Sequence, residues 1–363
     1  MLLKIDYNKV MNNFLLVWNR IGDYHLARVR ALQAIVGDGC VFTADLAAAD
    51  SLYKWKTDNL QNHFVLSTKS AEQRDVWNRL KNFRKILREK SIKYCCIAGY
   101  GTVEYLLMIM SAKLSGRKVL VFSESWYGQR TLFNIAKSWF LKLFVDAFLV
   151  SGKRAAEFSA NILNINPKKI ATPYSVVDNY HFANPDGYNP ETKTLLCMAR
   201  FSKEKNQEFL IDAFLKSSLS KSWKLKLVGA GPLKESLEQK FKANLNIELC
   251  NWAVYNDLPM IYFNSSMFVL ASTFEPWGLV VNEAMSAGLP VVCSNAVGAL
   301  PDLVDGNGFS FDENSMESLI GVFNQIDALS ADDLLKMSRR SVEIIKNFTP
   351  DIWAEQVVRL LKI

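Results

Sequence analysis

Two glutamates, Glu275 and Glu283, with seven residues between them, stand in the stretch FVLASTFEPWGLVVNEAMSAGLPVVCSNAVG (268–298). Between them Gly278 opens a segment with helical spacing, in which Leu279, Val280, Ala284 and Ala287 are apolar. The first N–H groups of a helix have no partner inside it and attract anions such as phosphate. Gly278, Leu279 and Val280 are placed to offer theirs. A carboxylate repels phosphate, so each glutamate is suited to hydroxyls instead. A ligand with a diphosphate centre and hydroxyl-rich ends meets both demands, and a nucleotide sugar is such a ligand. The bland alternative is a plain strand–helix–strand unit with two exposed glutamates.

The elements that position these groups are short. FVLAS (268–272) is an apolar run of strand type, and residues 273–277 form a polar turn. Gly288-Leu-Pro290 ends the helix, as glycine past a helix end followed by proline does. PVVCS (290–294) is the next strand. The same alternation fills the chain. In the first half, strands are expected at 14–18, 63–67, 94–100, 118–125 and 147–152, with helices at 24–35, 71–90 and 102–114 between them and one following to 163. Strands alternating with helices imply parallel sheets covered on both faces. ANPDGYNPET (183–192) has the composition of a linker.

The run F-E-P-W-G-L-V-V-N-E-A-M-S-A-G-L-P-V-V resembles the signature of glycosyltransferase family 4, retaining enzymes of the GT-B fold. Three further stretches resemble the family at the expected spacings. Arg200-Phe-Ser-Lys-Glu-Lys205-Asn206 follows the strand 194–201, with Ala199 where the family has glycine. Gly229-Ala-Gly231-Pro232 follows the strand 224–228. ALPDLVDGNGF (299–309) matches a later loop, with Ala299 for glycine and Asp302 for glutamate. The resemblance implies that Arg200 and Lys205 hold the donor diphosphate. Fixed cations there would stabilise a departing diphosphate more in the transition state than in the ground state. It also implies that Glu283 binds ribose hydroxyls and Glu275 the sugar. Gly229, Trp252 and Ala253 would border the nucleotide, Trp252 stacking on a base or simply packing.

In the first half the resemblance rests on the strand–helix pattern alone. Gly22, in the turn Asn19–Asp23, is counted among the donor-binding positions; a turn glycine is the bland alternative. Glu124 ends a strand and is the candidate for an acceptor-side contact with a catalytic role. Its alternative is a strand-end carboxylate paired with Arg130. Tyr127 and Gln129 belong to the same turn. RTLFNIAKSWFLKLFV (130–145) carries Trp139, Phe140 and Phe144 with Lys137 and Lys142. Such a helix suits a membrane surface, although an aromatic stripe at helical spacing is more often core.

Composition sets outer limits. The 363 residues suffice for two domains, and half of them are apolar. MLLKIDYNKV (1–10) lacks a signal-peptide core, and no apolar run approaches the ~20 residues of a spanning helix. Six cysteines without a C-x-x-C pair read as buried thiols, and three scattered histidines suggest no zinc site. Residues 1–186 hold 26 Lys and Arg against 15 Asp and Glu, a balance of +11; residues 187–363 hold 17 against 21, or −4. A basic half suits an anionic partner, and no nucleic-acid-binding signature accompanies it. No D-x-D occurs, so a donor diphosphate held through a divalent metal on such acids is not expected.

The expectation is therefore an α/β chain of the GT-B type, two doubly wound Rossmann-like domains facing a central cleft. Residues 1–186 would bind the acceptor and 187–348 the nucleotide sugar, with the last helix (349–363) returning to the first domain through Trp353. The expected activity is metal-independent, retaining transfer of a sugar from a nucleotide diphosphate sugar to a saccharide or lipid-linked acceptor, in polysaccharide or glycolipid synthesis. No cofactor is expected, and the location would be cytoplasmic with peripheral contact to an anionic membrane. A nucleotide-sugar epimerase and a catalytically silent nucleotide-binding protein remain the alternatives.

Overall fold

The computed structural model describes residues 12–48, 60–70, 72–129 and 131–363. The N-terminal MLLKIDYNKV and Arg130, both invoked above, lie outside them. The chain forms two compact units: residues Met1–Val176 with Pro350–Ile363, and residues Val177–Thr349. The linker-like stretch 183–192 falls inside the second unit, because Tyr188 donates its hydroxyl to the Ser266 carbonyl at 2.7 Å and Thr192 bonds to Ser266.

The first unit runs β1 (Asn13–Trp18), α1 (Asp23–Val36), β2 (Val41–Asp45), β3 (His63–Val65), α2 (Val76–Glu89), β4 (Ile92–Ala98), α3 (Val103–Leu114), β5 (Lys118–Ser123), α4 (Leu132–Phe144), β6 (Ala147–Val150), α5 (Lys153–Glu157) and β7 (Ile170–Ala171). All seven strands are parallel, in the order β3-β2-β1-β4-β5-β6-β7. The strands are near-continuous apolar runs because both faces of the sheet are covered. β1 and β5 are buried from their second residues onward. α5 continues into a π-helical turn at Phe158–Ile162. The seventh strand is short, only Ile170–Ala171.

The second unit runs α6 (Asn179–Phe182), β8 (Thr194–Met198), α7 (Gln207–Lys216), β9 (Lys224–Val228), α8 (Lys234–Phe241), β10 (Ile247–Cys250), α9 (Leu258–Phe263), β11 (Met267–Leu270), α10 (Leu279–Ser286), β12 (Val291–Ser294), α11 (Leu300–Leu303), β13 (Gly308–Phe311), α12 (Met316–Asp327) and α13 (Ala331–Ile345). Its six strands are again parallel, in the order β10-β9-β8-β11-β12-β13. The order reverses direction between β8 and β11. Ligands of open parallel sheets sit beyond the carboxyl ends of the strands at such a point.

The last helix, α14 (Pro350–Leu361), packs on α1 and on β5 and β6 of the first unit. Trp353 on it is fully buried, with its ring 5.5 Å from that of Phe122. All six cysteines are free thiols. Burial pushes Cys95, Cys197 and Cys293 up to about 12, so they stay protonated.

Candidate functional site

The loops after β8 and β11 meet at the switch point of the second sheet. The Thr273 N–H donates to the Glu204 carbonyl at 2.8 Å, tying one loop to the other. Across this junction the Lys205 ammonium donates to Glu275 Oε2. Both side chains are largely enclosed, with 19% and 13% of their area exposed.

Each loop is fixed from behind. Gln207 donates its side-chain amide to the Arg200 carbonyl at 2.6 Å, while Arg200 itself is exposed. Ser202 donates to Glu204 Oε1 at 2.6 Å, and this bond holds the Glu204 carboxyl below the usual carboxylate range. The backbone of Glu275 is held on both sides by the loop after β12: its N–H donates to the Ala296 carbonyl at 3.2 Å, and its carbonyl accepts from Gly298 at 2.9 Å. Trp277 is buried, and its indole N–H donates to Asn282 Oδ1 at 2.8 Å.

Gly278 precedes α10 with φ +97°, a conformation that strains any residue with a Cβ. A Cβ there would also stand 3.1 Å from Leu270 and 3.3 Å from the Glu275 side chain. Glycine thus lets the chain turn tightly enough to bring Glu275 beside the start of α10. The half-buried Leu279 and Val280 form the first turn, which holds no acidic residue.

Glu283 lies deeper than its neighbour in the motif. It is fully buried, and Tyr262 donates its hydroxyl to Glu283 Oε2 at 2.5 Å. The Tyr262 hydroxyl also lies 3.3 Å from Met198 Sδ on β8. Sequence reasoning did not find Tyr262; nothing in the apolar run of α9 marks it.

Gly229 and Gly231 serve the backbone of the β8 loop. A Cβ on Gly229 would stand 2.0 Å from the Ala199 carbonyl oxygen, and one on Gly231 2.3 Å from that of Phe201. Phe201 N–H bonds to the Ala230 carbonyl at 2.9 Å. The glycine pair therefore seats the segment that carries Arg200. Trp252, half exposed, and Ala253 follow β10. That strand is two places from β8, about 10 Å at the usual strand spacing.

In the first unit Gly22 caps α1. Its N–H donates to His25 Nδ1 at 3.0 Å and its carbonyl accepts from the His25 and Leu26 N–H groups. Burial, with Arg28 nearby, pushes the His25 imidazole well below its ordinary value. Glu124, beyond the end of β5, accepts the Ser175 hydroxyl at 2.6 Å. Tyr174 next to Ser175 accepts from the Trp18 indole at 3.1 Å, and the buried Arg28 guanidinium stacks 4.7 Å over its ring. Tyr127 and Gln129 are exposed. A further buried carboxylate, Asp45 at the end of β2, accepts the Ile21 N–H at 2.8 Å and so fixes the loop that contains Gly22. The strand that carries Asp45 is not marked in the sequence reading above.

The second unit resembles known proteins in sequence. Residues 182–344, most of the second unit, match the family described as Glycosyl transferases group 1. A glycosyltransferase of Haemophilus influenzae without a characterised activity is 33% identical over 150 residues, 38% of this chain and 42% of that protein. The sulfoquinovosyl transferase of Arabidopsis thaliana is 33% identical over 138 residues, 36% of this chain and 26% of its own length. The chain thus spans less than half the length of these curated relatives. The crystal structure of a glycosyltransferase from Rickettsia africae superposes with a TM-score of 0.76 over 98% of both chains at 16% identity. That of Anabaena HepE in complex with UDP-glucose does so with 0.73 over 96% of this chain and 99% of its own, at 14% identity. At such identities they share the GT-B fold with this chain.

Proposed function

We propose that the chain transfers a sugar from a nucleotide diphosphate sugar to a hydroxyl acceptor with retention at the anomeric carbon. The observation that carries this reading is the meeting of Lys205 and Glu275 at the switch point of the second sheet, beside the start of α10 and in the loop system that bears Arg200. In this reading the diphosphate lies against Lys205, Arg200 and the N–H groups of Gly278, Leu279 and Val280. Glu275 takes the sugar hydroxyls once Lys205 turns to the phosphate. Glu283 takes the ribose, oriented by Tyr262. Charge grows on the leaving diphosphate as the glycosidic bond breaks, and the two cations stabilise it where it grows. No side chain is assigned as a covalent nucleophile; the leaving phosphate assists removal of the acceptor's proton. Gly229, Trp252 and Ala253 border the nucleotide. The reaction needs no metal. HepE, solved with UDP-glucose, is the relative that favours such a donor.

The acceptor is a saccharide or a lipid-linked saccharide, in polysaccharide or glycolipid synthesis. The basic first half favours work at an anionic membrane on its cytoplasmic side. A thermal-shift panel of nucleoside diphosphates and then nucleotide sugars tests the donor, because a ligand at about 100 times its dissociation constant stabilises by ~2.7 kcal/mol. Isotope-labelled donor then separates transfer from epimer formation. A chain that binds no nucleotide, or converts the donor only to its epimer, overturns this reading.

A further inference from the structure

α3 packs against both α2 and α4, so these three helices form one layer on the first sheet. Two stripes on this layer face solvent. On α4, Leu132, Ala136, Trp139 and Leu143 follow one another at helical spacing and are all exposed, Leu132 at 86%, Trp139 at 73% and Leu143 at 68%. Phe140 and Phe144 of the same helix turn inward and pack on the core. On α2, Trp77, Lys81, Arg84 and Arg88 form a second stripe at the same spacing, with Trp77 77% exposed. With Leu80 they line a groove of about 360 Å³. Among the described residues, Lys81 and Arg88 have no carboxylate within ion-pair distance. α4 carries Lys137 and Lys142 and no acidic residue. Neighbouring helices lie ~8–10 Å apart, which puts the stripes roughly 20 Å from each other across α3.

Deepening the peripheral-membrane part of the reading above, we propose that the α2–α4 layer docks on an anionic phospholipid bilayer. Leu132, Trp139 and Leu143 would enter the interface, and the groove along Trp77, Lys81, Arg84 and Arg88 would take phosphate headgroups. Two features favour this occupant. A water-facing apolar stripe of this size gains free energy only by burial. The row of cations beside it selects a surface that is apolar beneath and anionic on top. A second copy in a two-fold contact would bring the cation row towards its own image, a like-charge approach that opposes binding.

The test floats the full chain with phosphatidylcholine vesicles and with vesicles that also contain phosphatidylglycerol. Wild type is expected to float only with the anionic vesicles and to be released near 1 M salt, where charges are screened beyond ~3 Å. Trp139→Glu/Leu143→Glu and Lys81→Glu/Arg88→Glu change exposed side chains and are each expected to lower partitioning by tenfold or more. Nucleoside diphosphate affinity, read by thermal shift on the same proteins, should not move, which separates this proposal from the donor assignment and controls for folding. Equal flotation with both vesicle types, unchanged flotation of either variant, or light scattering showing wild type as a dimer that the Trp139→Glu/Leu143→Glu change dissociates would overturn it.

Discussion

The Lys205 ammonium and the Glu275 carboxylate neutralise one another across the loops after β8 and β11. A group engaged in this way has a competitor for any diphosphate that reaches Lys205. Glu275→Gln removes the competing charge. The variant is expected to bind free nucleoside diphosphate at least as tightly as wild type, while turnover falls sharply because the sugar loses its orienting partner. Lys205→Ala and Arg200→Ala should lose diphosphate affinity and ~10²–10³ in rate. Calorimetry with the free diphosphate and with intact donor reads both effects. Equal loss of diphosphate affinity in Glu275→Gln and Lys205→Ala would contradict the assignment of the sugar to Glu275.

Glu283 depends on Tyr262. Tyr262→Phe removes a donor from a buried carboxylate, a change that typically costs about 1–3 kcal/mol. A lowered urea midpoint together with weaker nucleotide binding is the expected outcome. Normal stability with unchanged binding would show that the hydroxyl neither supports nor orients Glu283.

Gly229→Ala places a methyl where the Ala199 carbonyl stands, 2.0 Å away. Backbone cannot yield at that distance without moving the loop that bears Arg200. Loss of at least ~1–3 kcal/mol, the usual range for overpacking, is expected, together with weaker diphosphate binding. Unfolding curves and binding measurements on this variant check both.

His25 gives the first unit a pH dependence with a defined sign. Its imidazole is held well below the ordinary value of 6.5 by burial and by Arg28, so the unfolded chain takes up the proton first. The contribution is present in full above about pH 6.5 and is lost as the pH falls below it towards the folded value. Urea unfolding of wild type and His25→Asn between pH 8 and 5 is expected to converge on acidification. A gap that is constant across this range would rule the histidine out.

Turnover is expected to survive excess EDTA, because the proposed reading has Arg200 and Lys205, rather than a metal, meet the diphosphate. Complete loss of activity that magnesium or manganese restores would refute metal independence.

Much of this fold is legible because its strands are buried on both faces. Runs such as FLLVW, KVLVF and PVVCS stand out from their flanks, and each forms a strand. VFTAD does not, since Thr43 and Asp45 break the apolar run; yet it is β2, with both residues buried, and Asp45 serves the loop before α1. The motif named Glu275 and Glu283 but carried no sign of their different depths. Nor did it show Tyr262, which reaches Glu283 from a separate helix. On α4 the sequence offered core or surface for the aromatic residues, and the helix divides them: Phe140 and Phe144 turn inward, Trp139 outward. Spacing alone could not assign the faces, because both stripes are apolar.

The return of α14 to the first unit fixes an order of events during synthesis. Domains generally fold as they leave the ribosome, the N-terminal one first. Here the slot beside Phe122 stays unfilled until Trp353 has been made. Residues Val177–Thr349 are continuous and hold every element of their own sheet, so they can mature while the earlier unit still lacks its final helix. A nascent chain halted before Pro350 would therefore carry a finished second unit and an unfinished first one, whose exposed apolar slot is a surface for chaperones.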